Sequence, residues 1–578
     1  APEAKVAHGG NPQAVRGYLY HVPAFHAPGG GFIDPATLNL SPQDTKRAMR
    51  AYPAYCPRCD TSWSWSDIGS PIRTQRTGFQ KLAQVLSEVL VREAGHADPD
   101  ARKLVVFSDS RQDAAKLSAG MRTAHYRDAL RQALAAALAN QGNGVEAFWK
   151  QVTGQALPVD EQALAVGFAA QRPNEALVLS MAANASMANQ PSTVNPALTW
   201  QQAAQRIRNR AATGPFSITP LALDAAGQLL RRGMNPGGWL KNVLWTDPQS
   251  KTGHWRELYN WPAGGIPAEH LPSALSPEQQ VHLRQIHQQT EQELMDIVFA
   301  SGRRSLESLR LACVTADRIE YPPPSAVVQE TADGVIRILG SRRKLASKDA
   351  NSLAAAPGYV RNYVEAVAGQ HGLVPDDLLR DVVNYLVRAG CLNQFVLQDR
   401  ALCLQPPADV FYECPQCRRI HLHRAGGICT ECLEPLGSPL RMVDRPLDDD
   451  YYAYLATQAG EPYRLNCEEL TGQTNKNDAR RRQRLFQNIV LPQQENPLTD
   501  PVDLLSVTTT MEAGVDIGGL LTVMMANMPP MRFNYQQRVG RAGRRGAGLS
   551  VALTLCRGRS HDDYYFQRPD RITADPPP

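Results

Sequence analysis

The sequence predicts an α/β protein, a parallel-sheet domain split by a large, mostly helical insertion that ends in a zinc ribbon. Three observations lead there. The segment KLVVFSDSRQDAAKLSAGM gives an apolar strand, Leu104 to Phe107, then a polar turn, then a helix starting near Ser110, which is the repeating unit of an α/β sheet. Three further apolar strand candidates, Leu504 to Val507, Leu521 to Met525 and Leu549 to Leu555, lie nearly 400 positions downstream, and residues 121 to about 460 between them lack strand-helix alternation. Two CxxC pairs close that intervening stretch.

At 578 residues the chain is long enough for several domains of roughly 100–200 residues each. Hydrophobic residues make up 43% and charged residues 20%, so wholesale disorder is excluded, and aromatics at 7% leave the cores to Ala and Leu. Sixty-one basic against 56 acidic side chains leave a net charge of +5, so a nucleic-acid partner would have to be met by a local basic stripe. No apolar run approaches the 18 residues of a membrane span, and the first residues, APEAKVAHGG, lack the pattern of a signal peptide. The expectation is a cytoplasmic protein with no membrane partner; the missing initiator Met suggests an excised piece.

Residues 1–75 are turn-rich and read as a connector. The first part of the sheet domain spans 76–120. It opens with TGFQKLAQVLSEVLVREAG, whose Phe79, Leu82, Val85, Leu86, Val89 and Leu90 fall at helical spacing, with Gly95 as the stop. Ala-rich helical stretches make 121–375 a helical insertion. Residues 376–410 give an amphipathic helix, a Gly turn and short strand-like pieces; they resemble the last helix and wing of a winged helix, and an ordinary helix plus hairpin fits as well. The zinc ribbon occupies 411–437, a return linker 438–460, the second part of the sheet domain 461–570 and a tail 571–578. That second part begins with the strand around CEEL and a basic helix capped near Thr474 or Asn475. The densest basic run, ARRRQRLFQ, is expected to be a solvated helix face, with a nucleic-acid stripe as the alternative.

Cys414, Cys417, Cys429 and Cys432 lie in two knuckles that a short hairpin brings to the tetrahedral positions of one Zn2+. No further ligand or base lies within the ribbon, which favours a closed structural site over a catalytic one, and His421 and His423 are expected on the hairpin surface. Cys56 and Cys59 form half of another zinc site; the remaining ligands could be His21 and His26 or residues upstream. Cys313, Cys391, Cys403, Cys467 and Cys556 stand alone and are expected to be small buried hydrophobes.

TTTMEAGVDIG, Thr508 to Gly518, and QQRVGRAGRRG, Gln536 to Gly546, resemble motifs V and VI of superfamily 2 helicases, and FSDSRQDAA, Phe107 to Ala115, resembles motif IV. All three belong to the second RecA-like lobe, the helicase C-terminal domain, so the resemblance implies a RecA-like sheet over residues 76–131 and 461–570. The CEELTGQ strand and the RTGFQKL helix are similar to those of large bacterial helicases with cysteine knuckles, the phage-defence helicases of the Druantia and DISARM kind first and the YprA-like helicases beside them. The chain contains no GxxxxGK[ST] phosphate loop, and no DExx box follows a strand, so it should hold half an ATP site.

The resemblance implies roles for single residues. Arg541 and Arg544 match the arginines that reach the γ-phosphate of ATP across the cleft, where a guanidinium donates two parallel hydrogen bonds that Lys cannot reproduce. Gln537 matches a polar residue that links the nucleotide to the opposite lobe, and Gly540 and Gly543 allow a tight backbone. Gly514 and Asp516 match positions beside the nucleotide. Thr508 matches a contact to a nucleic-acid phosphate, and Ser108, Ser110 and Arg111 gather hydroxyls and a helix N-terminus suited to another. Arg538 and Arg545 are open between this chemistry and a solvated basic loop.

The leading expectation is the second motor lobe of an ATP-dependent DNA helicase or translocase in bacterial anti-phage defence. It would share ATP and Mg2+ with a first RecA-like lobe, on an upstream segment or another chain, and act with other defence subunits. The rival is a nucleotide-inert, zinc-containing scaffold that binds DNA or protein.

Overall fold

The structure, a computed structural model, describes residues 79–97 and 102–573 with short breaks, the longest at 239–243, 247–251, 509–519 and 544–548, together with four short strands between residues 5 and 41. At its centre five parallel strands form the main sheet: β1 (Leu104–Ser108), β2 (Cys467–Leu470), β3 (Leu504–Thr508), β4 (Thr522–Met525) and β5 (Val551–Thr554). Their order is β2-β3-β1-β4-β5, so the strand before the insertion is the middle one of a sheet otherwise built after it.

The apolar runs that mark β1, β3 and β4 follow from burial on both faces, whereas β5 is an exposed edge strand. Val105, Phe107, Leu505, Val507, Val523 and Met525 face one side, against Leu485 and Phe486 of helix Lys476–Phe486. Leu104, Val106, Leu504 and Met524 face the other, against helices α1 (Phe79–Ala97) and α2 (Arg111–Val152), which contribute Ala83, Val91, Leu117 and Met121.

Helix α1 does not stop at Gly95 as expected but runs to Ala97. Gly95 serves packing instead: a Cβ there would stand 2.1 Å from Nε of Arg102, whose side chain lies across the helix. Helix α2 runs 42 residues without interruption, from the main sheet into the insertion. A buried polar pair joins α1 to α2. His125 Nδ1 lies 3.3 Å from the Glu88 carboxylate and Nε2 donates to the Tyr463 carbonyl at 2.8 Å, while Gln84 and the Tyr451 hydroxyl also donate to Glu88.

Burial alone would depress His125, but the hydrogen bond and charge of Glu88 outweigh it and raise its pKa above 6.5; Glu88, despite its own burial, is lowered below 4.5 by His125. The raised histidine stabilises the fold below its unfolded value and loses that contribution as pH climbs through its folded value. The lowered carboxylate stabilises above its unfolded value and loses that contribution as pH falls through its folded value. Glu88→Gln is therefore expected to cost about 3 kcal/mol in urea unfolding at about pH 5.5 and clearly less at about pH 9. An equal cost at both values would mean that the pair is not ionic.

The insertion builds its own core from α2 and the helices Ile218–Arg231, Pro277–Val298, Ala326–Ser341, Gly358–His371 and Pro375–Arg388, with an antiparallel sheet of Phe216–Ser217, Cys403–Gln405 and Cys313–Thr315. After the last of these helices comes a hairpin, Leu392–Asn393 with Val396–Leu397. No helix among the described residues is long and apolar enough to cross a membrane. Of the isolated cysteines, Cys313, Cys391, Cys403 and Cys467 are buried and Cys556 is half-exposed; burial pushes the Cys391 and Cys403 thiols up to about 12.

Candidate functional site

In a parallel sheet the loops that follow the strands gather at one edge, which is where open α/β folds bind ligands. Motif IV follows β1, motif V follows β3, and the helix Arg532–Val539 leads into motif VI beyond β4. Ser108 and Thr508 end neighbouring strands in direct register.

Ser110 is the N-cap of α2, with extended backbone and its hydroxyl accepting from the Asp113 amide at 3.3 Å. Ser108 is fully buried and its hydroxyl donates to the Ser110 carbonyl at 3.2 Å, so it shapes the turn from within. Arg111 is 58% exposed, donates to Gln473 in the turn after β2, and lies 3.8 Å from Glu469. Thr508 is buried at its strand end. Of the residues expected on nucleic-acid phosphate, Arg111 is thus the exposed one and Ser110 is half-buried.

Motif VI is fixed to motif IV by a residue that sequence reasoning left open. Arg538 is fully buried and donates to Asp109 Oδ1 at 2.7 Å, with its guanidinium 5.5 Å from the Phe107 ring centre. Asn527, beyond β4, donates its amide to the other Asp109 oxygen and accepts from the Asp109 backbone at 3.2 Å. Arg557, beyond β5, donates to Asp113 at 2.6 Å and to the Ala526 carbonyl at 2.8 Å. The segments after β4 and β5 are therefore held against the loop after β1 and the first turn of α2. Arg538 does this structural work and is not a solvated basic residue.

Gln537 is half-buried on the helix, Gly540 caps it, and the Arg541 amide donates to the Arg538 carbonyl at 3.2 Å. Gly543 adopts φ +76°, and a Cβ there would stand 2.8 Å from Ser550 Oγ, while its amide donates to the Leu520 carbonyl at 2.8 Å. Only glycine carries that turn without strain. Gly514, Asp516, Arg544, Cys56 and Cys59 lie outside the described residues.

The basic run does not present a free stripe. Arg484 and Arg481 pair with Glu495, and Arg482 with Glu468. The Arg484 hydrogen bond holds Glu495 down to about 2.

Strand Val410–Glu413 pairs with Ile420–His421 on one side and Leu440–Arg441 on the other; its first turn carries Cys414 and Cys417, and the turn closed by the Ile428 and Pro435 bridge carries Cys429 and Cys432. The sulfurs of Cys414, Cys417, Cys429 and Cys432 all lie within 4.8 Å of one another, with Cys414 to Cys432 at 3.4 Å and Cys417 to Cys429 at 3.5 Å. A tetrahedron of thiolates at roughly 2.3 Å from zinc has edges of roughly 3.8 Å, so the donor set is compatible with Zn2+. His421 is fully buried and the His423 side chain is 8% exposed, so neither ring lies on the surface. Arg337, on an insertion helix, donates to His421 Nδ1 at 2.8 Å and contacts Glu307 at 2.7 Å, and His423 lies 3.4 Å from the same carboxylate. A guanidinium supplies the cation in that cluster.

Residues 445–546 match the family described as the helicase conserved C-terminal domain. A 92-residue stretch, 16% of this chain, is 52% identical to the Druantia protein DruE of Escherichia coli and covers 5% of that protein. A 65-residue stretch, 11% of this chain, is 37% identical to the ATP-dependent helicase HRQ1 of Saccharomyces cerevisiae and covers 6% of it. The matched stretches thus span only about a twentieth of either relative's length. No solved structure matches the chain. Residues 445–546, which hold β2, β3, β4 and motif VI, are thus similar to the C-terminal lobe of superfamily 2 helicases.

Proposed function

We propose that this superfamily 2 lobe is the second half of an ATP-dependent DNA helicase or translocase serving anti-phage defence in the bacterial cytoplasm. Arg541 and Arg544 act as its arginine fingers, Gln537 couples the nucleotide to the facing lobe, and Gly514 and Asp516 lie beside the nucleotide. The phosphate loop and the carboxylate for Mg2+ come from a first RecA-like lobe that these residues do not contain. Ser110, Arg111 and Thr508 receive backbone phosphates, without base specificity. Cys414, Cys417, Cys429 and Cys432 hold one Zn2+, and the helix Pro375–Arg388 with its hairpin serves as a winged helix. Other defence subunits are the expected partners.

The observation that carries this reading is the Asp109, Arg538 and Asn527 cluster, which binds motif VI to motif IV and so couples the finger-bearing turn to the helix N-terminus assigned to DNA. A nucleotide-inert scaffold has no use for such a link. Phosphate release measured on the chain alone is expected to equal a buffer blank, and to rise when a first lobe with an intact phosphate loop is added. Turnover by the chain alone would refute the half-site assignment.

A further inference from the structure

The opposite edge of the main sheet, where the strands begin, carries a basic groove that none of the motifs uses. It has a volume of about 720 Å³ and runs between the end of α1, the residues leading into β1 and β2, and the end of the insertion helix Ile218–Arg231. With β1 five residues long, roughly 16 Å separate this groove from the motif edge.

Apart from Arg92 and His96 at the end of α1, its cations fall into two sets. Lys103 and Arg464 answer the one carboxylate in the groove: Arg464 donates to both oxygens of Asp503, at 2.9 and 2.7 Å, and Lys103 lies 3.8 Å away. The second set is Arg102, Arg231 and Arg232. Neither Arg102 nor Arg231 has a carboxylate at ion-pair distance among the described residues. The Arg102 guanidinium sits 5.3 Å from the Tyr463 ring centre, and its buried Nε has no hydrogen-bond partner. Gly95 makes the room for it. Burial, then the charges of Arg102 and Arg231, pushes Arg232 below its ordinary pKa. Crowded like charges raise the energy of the empty groove and lower it when an anion enters.

We propose that this groove is a second nucleic-acid site, in which Arg102, Arg231 and Arg232 hold backbone phosphates of a strand separately from the motif edge. The occupant is a polyanion because the groove is open, polar and built from separate segments, and Arg102, Arg231 and Arg232 all line it. That it is nucleic acid rests on the motor reading above, since the lobe already works on a strand one sheet depth away. Charge without a fork geometry suffices for such contacts.

The test is fluorescence anisotropy of the full chain with a labelled oligothymidylate of about 20 nucleotides, titrated at several salt concentrations. Replacing the three arginines by glutamine (Arg102→Gln, Arg231→Gln, Arg232→Gln) is expected to reduce the slope of log affinity against log salt by about 2, from roughly 0.7 per lost phosphate contact. The triple lysine variant is expected to keep the wild-type slope. If Ser110→Ala with Arg111→Ala binds like the wild type while the glutamine variant loses slope, the motif-edge assignment fails and the groove stands. An unchanged slope in the glutamine variant, or loss of binding to phosphatidylserine vesicles with oligonucleotide binding intact, would each overturn the groove.

Discussion

Arg541→Ala or Arg544→Ala, placed in an assembly with both motor lobes, is expected to lower ATP hydrolysis by about 10³-fold while DNA affinity stays near the wild type. Charge builds on the transferring phosphoryl group chiefly in the transition state, so a guanidinium aimed at it acts on rate more than on ground-state binding. Lysine in either position should restore little, since it offers no parallel pair of donors. Arg538→Ala separates the two roles within the same motif. Arg538 is buried against Asp109 and Phe107, so its removal leaves a cavity beside the Phe107 ring, unties motif VI from Asp109 and is expected to lower the melting temperature. If Arg541→Ala abolished DNA binding and spared hydrolysis, motif VI would be a nucleic-acid loop and the scaffold reading would take precedence.

The contrast between Arg538 and Arg541 also marks how far sequence reading reaches. Strands buried on both faces appear as unbroken apolar runs, so Leu504–Thr508 and Thr522–Met525 were legible within a residue or two. The caps were legible as well: Ser110 and Asn475 accept amides from their own first turns, a purely local relation. What was not legible depends on partners far along the chain. Arg538 sits in a run of arginines, and its burial is decided by Asp109, 429 positions earlier. His421 and His423 read as hairpin surface because nothing nearby announces Arg337 and Glu307. Gly95 read as a helix stop, yet its reason is the Arg102 side chain lying on it. In each case local pattern gave the residue a plausible role and tertiary contact gave it another.

Metal analysis is expected to find one tightly held zinc per ribbon, with a second per chain only where Cys56 and Cys59 meet further ligands. Cys414→Ser should release the first. Cysteine ligands must be thiolates to bind, and a structural zinc contributes about 10–16 kcal/mol that is at once binding and folding energy, so a three-ligand ribbon cannot hold its shape. The damage should travel. The ribbon loop rests on the insertion, where the Tyr363 hydroxyl donates to the Ala425 carbonyl at 2.9 Å, His371 donates to the Gly426 carbonyl at 2.9 Å, and Arg337 donates to the Ile420 carbonyl at 2.7 Å. Opening the ribbon strips those donors and exposes the buried Arg337 and Glu307 pair. Hydrogen exchange is therefore expected to quicken in residues 410–441 of the Cys414→Ser variant and in helices Ala326–Ser341 and Gly358–His371, while the main sheet keeps its protection. Less than one zinc per chain in the wild type would refute the site. Zinc loss with unchanged exchange in the ribbon would show instead that the hairpin is held by its packing on the insertion and needs no metal to fold.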